Sequence, residues 1–114
     1  MHAKIYSAQN VGLEADIIDV EVDVSKGLHS FSIVGLPDKA VEEAKDRINA
    51  AIKNSGFKAP ARGNRKIIIS LAPANIKKEG TLFDLAMALS YLKASGDISF
   101  NEAGRIFLGE LSLD

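Results

Sequence analysis

The sequence predicts an α+β domain, a mixed β-sheet with two helices on one face, in the order β-β-β-α-β-α-β. Three observations predict it. Ile18, Val20, Val22 and Val24 alternate with Asp19, Glu21 and Asp23, the period of two expected of a strand with one buried face. Two stretches, Val41–Ile52 and Leu82–Leu92, place apolar residues three and four apart, and a glycine follows each. Between them Ile67-Ile-Ile69 is a continuous apolar run that reads as a central strand buried on both faces.

The elements follow in order. Ala3–Gln9 is the first strand and the alternating stretch is the second. Ser25-Lys26-Gly27 turns the chain into a third, Leu28–Val34, with Phe31 and Ile33 on its apolar side. Short connections between them predict an antiparallel meander. Gly35-Leu36-Pro37-Asp38 opens the first helix: proline suits the first turn, and Asp38, Glu42 and Glu43 suit the positive end of its dipole. Arg47 and Lys53 fall toward its negative end, and Gly56 closes it. Phe57–Asn64 is a loop and Lys66–Ala72 a strand, in which Ser70 reads as a core hydroxyl. Thr81 opens the second helix and has capping-box spacing with Asp84; Gly96 ends it. Arg105–Leu113 is a last strand. The 114 residues make one domain, 1–114. The strand at its end implies a piece of a longer chain that continues into a hairpin.

Composition narrows the function classes. There is no cysteine, hence no disulfide frame, thiol nucleophile or cysteine-ligated metal. No apolar run approaches the ~20 residues of a membrane span, and Met1–Tyr6 lacks a signal-peptide core. These features predict a cytoplasmic protein with no membrane partner. His2 and His29 stand apart, outside any metal-ligand spacing, so no metal is expected. Asp19, Glu21 and Asp23 lie on one strand face about 7 Å apart and read as a solvated or edge-protecting face. None of the nine glycines starts a Gly-x-x-x-x-Gly-Lys-Ser/Thr loop, so no nucleotide is expected in that mode and no cofactor is assigned to the chain.

The formal net charge of −1 conceals segregation. Residues 47–78 hold eight bases, Arg47, Lys53, Lys58, Arg62, Arg65, Lys66, Lys77 and Lys78, and no acid. Lys77 and Lys78 precede a helix N-terminus, where free N–H groups favour anions. Arg62, Arg65, Lys66, Lys77 and Lys78 are therefore the candidate contacts for a DNA backbone, bound without regard to sequence. Aromatic residues for base stacking are nearly absent; Phe57 is the one candidate. Subunit contact, or a solvated face with no partner, are the other readings. For nucleophilic catalysis, Thr81 with a lysine as base is the remaining possibility.

Phe31-Ser-Ile-Val-Gly-Leu-Pro-Asp38, Glu43-Ala-Lys-Asp-Arg-Ile48, Asn54-Ser-Gly-Phe57, Leu71-Ala-Pro-Ala-Asn75, Lys78-Glu-Gly80, Phe83-Asp-Leu-Ala86 and Phe107-Leu-Gly-Glu-Leu111 together resemble the N-terminal domain of the magnesium-chelatase-like AAA+ proteins, the ComM/YifB family. The resemblance covers the whole chain. It implies a ribosomal protein S5 domain 2-like, Lon protease-like fold. It also implies a parent AAA+ ATPase that uses ATP and Mg2+, assembles as a hexamer and remodels DNA as a branch-migration helicase. This domain would then contact DNA, its own ATPase module and neighbouring subunits. Lon-type proteases carry Gly-Pro-Ser-Ala-Gly where this chain has Gly80-Thr-Leu-Phe-Asp84, so Leu82 stands at the serine position and the fragment is expected not to be an enzyme. A pure oligomerisation module and a residual peptidase using Thr81 are the alternatives.

Overall fold

Four strands form one sheet in a computed structural model that describes residues 1–113. They are β1 (His2–Val11), β2 (Glu14–Lys26), β3 (Ser30–Val34) and β4 (Arg65–Ala72), in the order β1-β2-β4-β3. The helices are α1 (Lys39–Glu42), α2 (Ala44–Asn54) and α3 (Asp84–Ala94). The α+β class and the mixed sheet are as predicted.

The meander is not. β1 and β2 form an antiparallel hairpin, but β3 does not join β2; it runs parallel to β4, and β4 lies between them. The cause is the helical crossover. A strand, a helix and a strand in one sheet return parallel, and β4 is the apolar partner that β2 requires. Val20 pairs with Leu71, Val22 with Ile69 and Val24 with Ile67, all buried. A short connection gave β3 to β2 on sequence distance alone, and cross-strand burial overrode it.

Only one face of the sheet is covered. On it Ile5, Ile18, Val20, Val22, Ile67, Ile69 and Leu71 meet Ile48 of α2 and Phe83, Met87 and Tyr91 beside or within α3. β4 is therefore central but not buried on both faces: Lys66 is exposed, Ile68 is 44% exposed, and Ser70 is half-buried on the open side rather than a core hydroxyl. Asp19, Glu21 and Asp23 also face outward, on an interior strand rather than an edge. Lys4 approaches Asp19 at 3.4 Å and His2 approaches Glu21 at 3.2 Å.

The helix ends differ from the sequence reading. Asp38 caps α1, its Oδ1 accepting from Val41 N at 2.8 Å, and the helix breaks at Glu43 before α2. Thr81 does not open α3; Phe83 occupies the cap without a side-chain hydrogen bond. Asp84, the supposed capping-box partner, is buried instead and engaged by α2. Residues 105–113 form no strand. Phe107 N donates to Tyr6 O at 2.8 Å, Gly109 N to Leu82 O at 3.0 Å, and Leu111 N to Asp84 Oδ2 at 3.1 Å. The segment thus crosses from the β1 edge over the start of α3, leaving its bonds on β1, the turn before α3 and α3 itself instead of one ladder. Among the described residues no helix is long and apolar enough to cross a membrane.

Candidate anion-binding surface

The five cations singled out above do not share a surface. Arg62, Arg65 and Lys66 lie at the start of β4, Lys77 and Lys78 beyond its end. Seven steps of ~3.3 Å separate the two ends of the strand, about 23 Å.

At the far end, Lys77 is exposed and 3.9 Å from Glu79, while Gln9 Nε2 donates to its carbonyl at 2.8 Å. Lys78 is fully buried and cannot meet a solvent-borne anion. Its Nζ donates to Gly35 O at 2.6 Å and to Pro73 O. Around it Lys78 N donates to Leu36 O, Asp38 N to Lys78 O (both 2.9 Å) and Gly80 N to Asp38 Oδ2 at 3.1 Å. Lys78 is thus a clamp between the loops that follow β3 and β4. Thr81 is half-buried and Leu82 is 51% exposed beside it. The ammonium of Lys78 is committed to Gly35 and Pro73, not to Thr81.

Burial pulls the Lys78 ammonium below the ordinary lysine value of 10.5. The unfolded chain then holds this proton more tightly than the folded one. The resulting handicap is present at neutral pH and disappears as pH rises through the window ending at 10.5. The urea midpoint of the wild type, minus that of Lys78→Met, should rise between pH 8 and pH 10; a flat difference would refute the assignment.

At the near end three of the cations, Lys26, Lys58 and Arg65, share one groove, while Arg62 lines a neighbouring groove beside Asp46 and Lys66 points to the open face. Lys26 ends β2, Lys58 and Arg62 lie in the loop before β4, and Arg65 and Lys66 begin it. Lys26, Lys58, Gly27, Leu28, Gly63, Asn64 and Arg65 line a groove of about 730 Å3. Backbone bonds fix its rim: Gly27 N to Asn64 O and Arg65 N to Gly63 O, both 3.2 Å. Gly63 holds φ +93°, and Lys58 Nζ lies 3.2 Å from where a Cβ would stand, so the lysine folds over the glycine. Arg65 is oriented from below, its Nη1 donating to the Tyr91 hydroxyl at 2.8 Å. Every ion pair among the described residues lies elsewhere, so Lys26, Lys58, Arg62, Arg65 and Lys66 have no carboxylate partner. Lys26 was outside the sequence-derived set because it lies 39 residues before Arg65; antiparallel pairing places the two opposite each other.

The residues lining the groove include no Asp or Glu, and its one anchored guanidinium presents a fixed fork. Among the described residues no three His, Asp or Glu side chains converge as a metal site.

The chain is similar to proteins of one family. The family described as subunit ChlI of Mg-chelatase matches residues 20–114. Competence protein ComM of Haemophilus influenzae is 40% identical over 112 residues, 97% of this chain and 21% of ComM. The uncharacterized protein YifB of Escherichia coli is 44% identical over 110 residues, 96% of this chain and 21% of its own length. An uncharacterized protein of Mycobacterium bovis is 35% identical over 112 residues. The chain spans about a fifth of the length of these relatives.

Proposed function

Because the chain belongs to the family of subunit ChlI of Mg-chelatase, we propose that it is a non-catalytic accessory domain of a magnesium-chelatase-like AAA+ ATPase acting on DNA, built on a ribosomal protein S5 domain 2-like, Lon protease-like scaffold. It supplies the motor with a positively charged attachment for the DNA backbone. One observation carries this reading: three cations, Lys26, Lys58 and Arg65, line the groove at the start of β4 with no carboxylate partner among the described residues, and Arg62 and Lys66 lie next to them along the chain. Phosphates are held by such groups irrespective of base identity. The contacts are Lys26, Lys58, Arg62, Arg65 and Lys66; Lys77 and Lys78 are withdrawn from the set. ATP and Mg2+ belong to the parent ATPase module. The residues here do not fit a phosphate cradle of that kind, since the lysine nearest the Gly80 turn points inward at two carbonyls.

The test is salt-dependent DNA binding by Lys58→Ala/Arg62→Ala/Lys66→Ala, three exposed positions. The slope of log affinity against log salt should fall by roughly 2–3, about equally for unrelated sequences. An unchanged slope would end the DNA reading. Unchanged DNA binding with loss of assembly in the full-length parent would favour an oligomerisation module instead.

A further inference from the structure

We propose that the free edge of β3 pairs with the same edge of a second copy of this chain, antiparallel, about a two-fold axis at Ser32. Among the described residues β3 is the last strand of the sheet and β4 is its one strand neighbour. Sheet edges are normally protected against such pairing by charge, proline or a covering segment. The opposite edge has these devices: β1 carries His2 and Lys4, and Phe107 N occupies Tyr6 O. β3 has none. No Asp, Glu, Lys or Arg occurs between Lys26 and Asp38, and no proline lies in the strand.

The edge is complementary to itself. Antiparallel pairing centred on Ser32 sets Phe31 opposite Ile33 of the second copy, both on the helix-covered face, where Ile33 is already buried. On the open face it sets Ser30 opposite Val34 and Ser32 opposite Ser32. A slip by one residue would set the helix-covered face of one copy beside the open face of the other, so burial of Phe31 and Ile33 favours this register. Three exposed apolar side chains lie in or just beyond the strand: Leu28 at 88%, Val34 at 45% and Leu36 at 53%.

Charge selects the orientation. Lys26, Arg65 and Lys66 gather where β3 begins, and Lys66 is in register with Ser30. Where β3 ends, Glu42 is paired with Lys45 and Asp38 with the backbone of Val41 and Gly80, so that end has no matching basic cluster. Antiparallel pairing keeps the two basic ends apart; parallel pairing would oppose them. Five paired residues make a small contact, below the ~1,200 Å2 of a standard interface. The dimer is therefore weak and dissociates on dilution. It requires no DNA, and its fate is independent of the reading proposed above.

Sedimentation velocity of the 114-residue chain from micromolar to millimolar concentration tests it. The weight-average mass should climb from 12.2 kDa toward twice that value. Ser32→Lys puts two ammonium groups face to face across the axis and should hold the mass at the monomer value. The exposed position leaves the fold intact, which circular dichroism checks. Facing residues in an antiparallel pair lie about 4.5–5.5 Å apart at Cα, within disulfide reach. In this cysteine-free chain Ser32→Cys should therefore oxidise to a covalent dimer at least about tenfold faster than the exposed control Ser99→Cys. A monomer at millimolar concentration, equal oxidation rates, or a dimer indifferent to Ser32→Lys would each overturn the proposal.

Discussion

Asp84→Ala should lower the unfolding free energy by about 3–5 kcal/mol, the usual consequence of removing one partner from a buried ion pair. Asp84 has no exposed surface. Arg47 grips it with two bonds, Nε to Oδ2 at 2.6 Å and Nη2 to Oδ1 at 3.0 Å, and also donates to Ala40 O at 2.8 Å. The hydrogen bond to Asp84 leads the causes that hold the Arg47 guanidinium above its ordinary range. Without the carboxylate, a largely enclosed guanidinium loses its counter-charge and Leu111 N loses its acceptor. The second loss has its own signature. Amide exchange at Leu111 and Gly109 should accelerate more than exchange in β2, because the terminal segment is tied to α3 through these bonds. The double variant Arg47→Met/Asp84→Leu should recover much of the stability, since it leaves no unpaired charge. Urea unfolding of the three variants decides the matter. A loss below about 1 kcal/mol for Asp84→Ala, in the range of exposed pairs, would show that the pair does not hold the two helices together.

Gly35→Ala should be at least as damaging, with about 3 kcal/mol or more lost. Gly35 ends β3 at φ +108°, a conformation hostile to any side chain, and an added Cβ would stand 2.0 Å from Leu71 O. That oxygen belongs to the central strand, so the clash cannot be relieved by a rotamer change. The same glycine offers its carbonyl to Lys78, so moving it also opens the clamp between the two loops. Gly12→Ala is the matched control. Gly12 has φ +63° but nothing within 4 Å of the added carbon, and about 1–2 kcal/mol is expected for conformation alone. Thermal unfolding of both variants separates steric exclusion from backbone preference. Equal losses would show that the approach to Leu71 is not the cause.

Several features of the fold were legible from side-chain periodicity. The alternation from Ile18 to Val24 fixed β2 and its solvent-facing carboxylates, and the three-to-four stripe of Val41, Ala44, Ile48 and Ile52 fixed the buried side of α1 and α2. A helix start at Gly35–Asp38 was legible because such signals are local, although Asp38 was read only as a complement to the helix dipole and proves to be the cap. Asp84 was misread for the complementary reason. Its spacing from Thr81 suited a capping box, and nothing local announces that an arginine 37 residues earlier will claim it. A signal was available, however: a lone aspartate beginning an otherwise apolar helix, and a lone arginine beside an apolar stripe. Lys78 was misjudged similarly, as a surface base, because its two carbonyl acceptors come from loops that meet only after β3 and β4 pair.

By itself the sequence determined β1 to β4 and the helical stretches as segments, the apolar side of β2 and of α1 and α2, and that positive charge is concentrated in residues 47–78, since these depend on residue type and spacing along the chain; it did not determine the end of the chain or the open face of β4. Tertiary structure alone decided the strand order, the burial of Lys78 and Asp84, and the division of the basic residues between two ends of the sheet. The physical reason is that a hydrogen bond or a charge contact is selected by distance in space. Whether β4 enters between β2 and β3, bringing Lys26 opposite Arg65 and leaving Lys77 beyond the other end of a strand about 23 Å long, depends on the burial of the whole sheet at once.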